Sequence, residues 1–157
     1  MLPGSEDYMR QAIALAVDNV AKGGGPFGAL VVKAGQVIAA GVNQVTATND
    51  PTAHAEVTAI RGACRELNTF QLDGCEIYCS CEPCPMCLGA IYWARPERFY
   101  FAATRQSAAA AGFDDAFIYD EMKLLPERRA IRGVLLLADE GRAAFEEWER
   151  CVGKSLY

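Results

Sequence analysis

The sequence predicts an α/β protein, a three-layer α/β/α sandwich around a mixed sheet of five strands. Three observations lead there. Strand-sized apolar runs alternate with segments of helical periodicity after an opening hairpin, the order that builds a sheet covered by helices on both faces. The length, 157 residues, is one domain's worth at ~150 residues per domain, and no linker, repeat or low-complexity segment divides it, so residues 1–157 read as one domain. With 52% apolar and 22% charged residues, the chain has material for a core and is too apolar to be disordered.

Each element has its own signal. Residues 6–21 carry Met9, Ile13, Ala16, Val17 and Val20 at three- and four-residue steps, the stripe of an amphipathic helix, with Ser5 as cap and Glu6 and Asp7 in an acidic first turn. Gly23-Gly24-Gly25-Pro26 stops it. Residues 27–33 and 36–42 read as strands joined tightly by Ala34-Gly35, with their register open. After a polar loop at 43–50, Asp50-Pro51-Thr52 opens a helix to about Leu67, which puts His54 and Glu56 in its first turn and Val57, Ile60, Cys64 and Leu67 on one stripe. Residues 74–80 form a strand. Pro83 and Pro85 begin a helix to about Trp93, where their missing amide protons cost little. A strand at 98–103, a helix at 114–124, a fifth strand at 131–138 and a helix at 140–151 complete the chain, and the alanine run at 108–111 is helix-compatible.

Charge and hydropathy exclude several function classes. Fifteen Lys and Arg against twenty Asp and Glu leave −5, which opposes a surface that tracks phosphates, so no extended nucleic-acid surface is expected. No apolar run approaches the ~18 residues of a membrane span. The acidic start lacks the basic and apolar regions of a secretory signal, so the expected compartment is the cytoplasm.

The chemistry concentrates in two short stretches. Of seven cysteines, Cys79, Cys81, Cys84 and Cys87 fall within nine residues, and His54 is the one histidine. In a chain without a signal peptide that pattern points to a metal or redox site rather than to disulfides. His54, Cys84 and Cys87 offer one imidazole and two thiolates, each near a predicted helix N-terminus whose partial positive charge favours the thiolate form. Zinc takes such ligands in a tetrahedron, and a catalytic site keeps one corner for water. Glu56, two residues past His54, projects elsewhere around the helix and is better placed to carry protons than to ligate. Two bland readings compete: a closed zinc knot with Cys79 or Cys81 as fourth ligand, and a redox pair. The closed knot leaves Glu56 without a role and removes the open position. Cys64, Cys75 and Cys151 read as small hydrophobes, and Glu146, Glu147, Glu149 and Arg150 as a solvated helix face.

The spaced pair H-x-E and P-C-x-x-C is a signature of zinc nucleobase deaminases. The chain resembles the cytidine deaminase-like superfamily at these residues, and within it the short, zinc-dependent bacterial guanine deaminases, over nearly its whole length. The resemblance runs through residues 24–29, 49–60, 81–96 and 111–115. It implies zinc on His54, Cys84 and Cys87, hydrolytic deamination of a purine base with Glu56 shuttling protons, and Asp115 as a second carboxylate at the base. It further implies Asn43 at the base edge, Phe27 as an aromatic wall, Ala55 and Trp93 among the substrate-binding positions, and Tyr157 as a cap. A homodimer is implied too, with residues 140–157 exchanged between subunits so that each pocket needs both chains.

The residues by themselves leave alternatives. Asn43 can be a turn residue, Phe27 core filling, Asp115 a helix cap with Asp114 as its twin, and Tyr157 a frayed end. A tRNA adenosine deaminase would share the zinc motifs, though the charge of −5 and the few cations near the C-terminus oppose it. A non-catalytic zinc-binding interaction module would have no need of Glu56.

Overall fold

A computed structural model describes residues 4–113 and 115–157, which fall into two compact units, residues 1–116 and 117–157. Met1, Leu2 and Pro3, part of the segment read for a signal, and Asp114 lie outside the described residues.

The first unit runs α1 (Ser5–Ala21), β1 (Gly28–Lys33), β2 (Gln36–Val42), α2 (Val45–Thr48), α3 (Ala55–Glu66), β3 (Cys75–Cys81), α4 (Pro85–Ala94), β4 (Arg98–Ala103) and α5 (Arg105–Ala110). The sheet order is β2-β1-β3-β4, antiparallel except for the parallel β3/β4 pair. The expected tight hairpin is present: Ala34 and Gly35 both take positive φ, as a two-residue turn matching strand twist requires, and Lys33 pairs with Gln36. One register shift, between Val31 and Val32, lets the strands continue to Gly28 opposite Val42.

Three layers follow from side-chain alternation. Ala29, Val31, Ile77 and Cys79 face one way and form a core with Ala55, Ala59 and Ala63 of α3 and Ile91 of α4. Leu30, Val32 and Tyr78 face the other way, against Ala12 of α1. All seven residues of β3 are buried, as befits a strand covered on both faces.

Four expectations need correction. The mixed sheet has four strands among the described residues, because 131–137 take no strand pairing. A strand exists only where a neighbour takes its backbone hydrogen bonds, and this run is open: Ile131 is 89% exposed and Leu135 86%. The α1 stripe is rotated, with Ala12, Ala16 and Asn19 buried while Ile13, Val17 and Val20 stay exposed along an apolar groove of about 390 Å³ shared with Phe27 and Phe113. The polar loop after β2 contains α2, and the helix expected from Asp50 starts at Ala55. Asp50 instead accepts from both the amide (2.8 Å) and the hydroxyl (2.7 Å) of Thr52, a local turn that competes with helix. His54 is therefore the cap and not a first-turn residue.

The second unit holds α6 (Ala116–Met122, which begins one residue earlier), a 3₁₀ turn at Pro126–Arg128, α7 (Ala138–Gly141) and α8 (Ala143–Arg150). The expected last helix at 140–151 is thus two short ones. None of the residues 117–157 is buried.

Candidate active site

The site grows from two helix starts. His54 caps α3 in extended geometry (φ −72°, ψ 158°), fixed by its own amide donating to Thr52 O at 2.8 Å and by its carbonyl accepting from Thr58 N at 2.9 Å. Cys84 caps α4 in almost the same conformation (φ −66°, ψ 168°), with Pro85 next in line, where a missing amide proton does no harm. Its sulfur accepts from Cys87 N at 3.5 Å. Both N-termini thus turn their free amides and partial positive charge toward one place, which suits a site built with sulfur anions.

The three side chains named from spacing meet there. His54 Nδ1 lies 3.5 Å from Cys84 Sγ and 3.4 Å from Cys87 Sγ, and all three ligand atoms fall within 4.8 Å of one another. Bond lengths of ~2.3 Å to sulfur and ~2.05 Å to nitrogen give a tetrahedral N···S edge of about 3.6 Å, so the spacing fits a zinc ion. The closed-knot reading finds no support among the described residues: Cys79 packs in the core below α3, and Cys81 Sγ points to Thr104 O at 3.7 Å. No disulfide joins Cys84 and Cys87.

Protonation follows from the crowding. The Cys87 thiol donates to Cys84, so the pair gives up its first proton readily and holds its second: Cys84 is drawn down to about 4, and Cys87 is pushed far up. The Cys84 thiolate in turn raises His54. Glu56 is buried in the first turn of α3, with Oε2 3.4 Å from Cys87 Sγ, and desolvation raises its pKa. A buried carboxyl whose pKa is raised, beside the metal ligands, is suited to take up and return a proton.

The remaining expected residues divide. Asp115 is near enough to raise both His54 and Cys81 electrostatically. Phe27 packs edge-on to Phe113 with ring centroids 5.0 Å apart and also touches the core. Asn43 accepts from Val45 N through Oδ1 at 3.2 Å, so the turn role is real and leaves the NH₂ to be presented. Ala55, at the first position of α3, is buried as a whole residue and packs in the core, and its backbone N–H is the one donor it has. Trp93 is 64% exposed near the far end of α4, six residues and about 9 Å along the helix from Cys87, and is not brought to the cluster. Tyr157 ends the second unit and is 69% exposed. Sequence reasoning missed Ser80, whose hydroxyl accepts from Gly28 N at 3.0 Å and ties β3 to the entry of β1 beside Phe27. A polar residue at the end of a run of apolar strand positions is the signal that could have found it.

Residues 3–103 match the cytidine and deoxycytidylate deaminase zinc-binding region. A guanine deaminase from Bacillus subtilis is 52% identical over 153 residues, 97% of this chain and 98% of the relative. The X-ray structure of guanine deaminase from that organism superposes with a TM-score of 0.95 over 98% of both chains. A structure of guanine deaminase from Nitrosomonas europaea, 34% identical, superposes with a TM-score of 0.70 over 96% of this chain and 87% of its own. A tRNA-specific adenosine deaminase from Aquifex aeolicus is 45% identical over 100 residues, 64% of this chain and 66% of its own.

Proposed function

The chain belongs to the cytidine and deoxycytidylate deaminase zinc-binding family, and we propose that it hydrolyses guanine to xanthine and ammonia. The observation that carries the substrate is the span and level of the likeness together: similarity to guanine deaminase is 52% identity over 97% of the chain, whereas similarity to tRNA-specific adenosine deaminases is 45% over 64% of it in one case and 36% over 83% in another. The observation that carries the chemistry is the His54, Cys84, Cys87 cluster with the Glu56 carboxylate against it.

His54, Cys84 and Cys87 would hold the zinc, whose charge matches two thiolates. When bound it supplies an electrophilic centre that makes water acidic enough to act near neutral pH. Glu56 takes one proton from water and delivers it to a ring nitrogen as oxygen bonds to carbon 2, then takes the second proton from the new hydroxyl and passes it to the amino group, so that the carbon–nitrogen bond breaks as the carbonyl forms. The oxygen of water ends in xanthine, and the amino nitrogen leaves as ammonia. Burial suits Glu56 to this work, because a raised pKa lets one carboxyl serve as base and then as acid.

Asp115 serves as the second carboxylate at the base, Phe27 stacks on the purine, and Asn43 donates its NH₂ to an acceptor on the base edge. Ala55 contributes its backbone N–H. Trp93 is a further substrate-binding position, and Tyr157 closes the pocket of a second copy in a cytoplasmic homodimer, in which each protomer is one domain with residues 140–157 exchanged. What supports the exchange is that residues 117–157 bury nothing of their own while exposing Ile131, Val134, Leu135 and Leu136. No helix of the described residues is long and apolar enough to cross a membrane.

The test is a substrate panel of guanine, guanosine, adenine, cytosine and cytidine on zinc-loaded protein, scored for ammonia. Guanine is the expected substrate. No ammonia from guanine, alongside deamination of an adenosine-bearing tRNA stem-loop, would overturn the assignment in favour of the tRNA enzyme.

A further inference from the structure

We infer that Asn19, at the end of α1, is a positioning residue that sets the Asn43 amide and through it the grip on the substrate. The inference rests on the reading of Asn43 as a base-edge contact. Asn19 belongs to the buried side of α1 with Ala12 and Ala16, and an amide buried there needs partners for its polar atoms. Its Nδ2 donates to Gly25 O at 2.8 Å and to Asn43 O at 2.9 Å. Both partners are carbonyl oxygens, so the atom between them can only be the amide nitrogen, and each of its protons is used.

Those two carbonyls lie on different segments. Gly25 precedes β1 and Asn43 follows β2. The strands are antiparallel, so the two segments lie side by side, joined by Asn43 N donating to Phe27 O at 3.2 Å. Asn19 reaches this end of the hairpin from a third element and fixes one segment against the other. The fit is close. A Cβ on Gly24 would stand 2.7 Å from Asn19 Cγ, and one on Gly25 would stand 3.1 Å from Asn43 Cγ.

The Asn43 side chain is therefore seated between Val45 N, which occupies its oxygen, and the Gly25 backbone, which Asn19 holds in place. Remove the two Asn19 bonds and both sides of that seat loosen together. The NH₂ of Asn43 then loses its fixed direction, and binding of a base weakens before the proton chemistry at Glu56 does.

The test is a double-mutant cycle in guanine kinetics on zinc-loaded wild type, Asn19→Asp, Asn43→Ala and the double variant. Aspartate keeps the shape of Asn19 but sets acceptors against two carbonyls. Asn19→Asp should raise KM roughly tenfold with kcat changed far less, the scale of one or two lost hydrogen bonds. In the Asn43→Ala background the same substitution should add no further rise in KM, although its loss of thermal stability persists in both backgrounds. A KM penalty that multiplies with that of Asn43→Ala, or no penalty at all, would overturn the link between the two residues. Wild-type KM in Asn43→Ala would remove its foundation instead, a different signature. Should Asn19→Asp fail to fold, Asn19→Ala carries the same comparison without the added charge.

Discussion

Gly41→Ala places one methyl group where β2 meets α3, and its consequences can be worked out from the contact. A Cβ on Gly41 would stand 2.6 Å from Ala59 N and closer still to Ala55 O, both helix backbone atoms that no rotamer change can move aside. Ordinary contact begins near 3.4 Å, so strand and helix must part by about 0.8 Å or more. Overpacking of this kind costs about 1–3 kcal/mol, and rigid backbone on both sides puts this case at the upper end. The displaced end of α3 carries His54 and Glu56, and a shift near 1 Å at catalytic groups lowers turnover by ~10²-fold. Urea unfolding of zinc-loaded protein, with kcat on guanine, measures both effects. Gly62→Ala is the comparison, because its Cβ would meet only the Ala39 methyl at 3.2 Å and removing a mid-helix glycine returns up to about 1 kcal/mol. It should leave kcat unchanged and stability within about 1 kcal/mol of wild type. A Gly41→Ala protein with the wild-type urea midpoint and turnover would refute the claim that this seat positions the site.

Glu56→Gln should retain stoichiometric zinc, read by metal analysis, and lose ~10²- to 10⁴-fold in kcat, the usual range for a proton carrier; normal turnover would remove it from the mechanism. Deleting Leu156 and Tyr157 should lower kcat/KM on guanine while the melting temperature stays close to that of the full chain, and unchanged kinetics would reject the cap. Tyr78 is fully buried and its pKa is pushed up to about 12, mainly by burial, so the folded state keeps it neutral. Above pH 10 the unfolded chain ionises this phenol and the folded one does not. Stability should therefore fall between pH 10 and 12, by up to about 3 kcal/mol, and less steeply in Tyr78→Phe. Equal slopes in the two proteins would show that Tyr78 does not ionise differently on unfolding. Chelation of zinc should abolish turnover and speed alkylation of Cys84, both reversed by zinc; labelling that is indifferent to zinc would contradict ligation.

The site was legible because its geometry is local. Cys84 and Cys87 are separated by two residues at a helix start, and that spacing alone brings two sulfurs within reach of one ion. His54 needed one long-range fact, that α3 and α4 lie on the same face of the sheet, and the alternation of strands and helices supplies it. Asn19 was illegible for the opposite reason. Its value depends on two carbonyls 6 and 24 residues away that meet only once β1 and β2 pair, and nothing in the helix period marks it. The first-turn place expected for His54 gave way to a capping one because of the Asp50–Thr52 turn, a side-chain bond that periodicity does not see.

The larger misreadings share one physical cause. Ile13, Val17 and Val20 read in the sequence as an amphipathic stripe and residues 131–138 as an apolar strand, yet Ile13, Val17, Val20, Ile131 and residues 134–137 stay exposed in the single chain. Hydrophobic patterning records what a sequence buries in its working state, and burial drives folding in proportion to the area removed from water. Two expected core segments left in solvent are therefore the surface that the proposed homodimer would cover. β4 is an edge strand of the sheet, α1 lines an apolar groove, and residues 134–137 are an unbroken apolar run of the length an added strand needs. If the proposed homodimer supplies that cover, dilution to monomer should destabilise the chain and release the exposed segment to proteolysis. A monomer as stable at nanomolar as at micromolar concentration would mean that the sequence pattern has been misread.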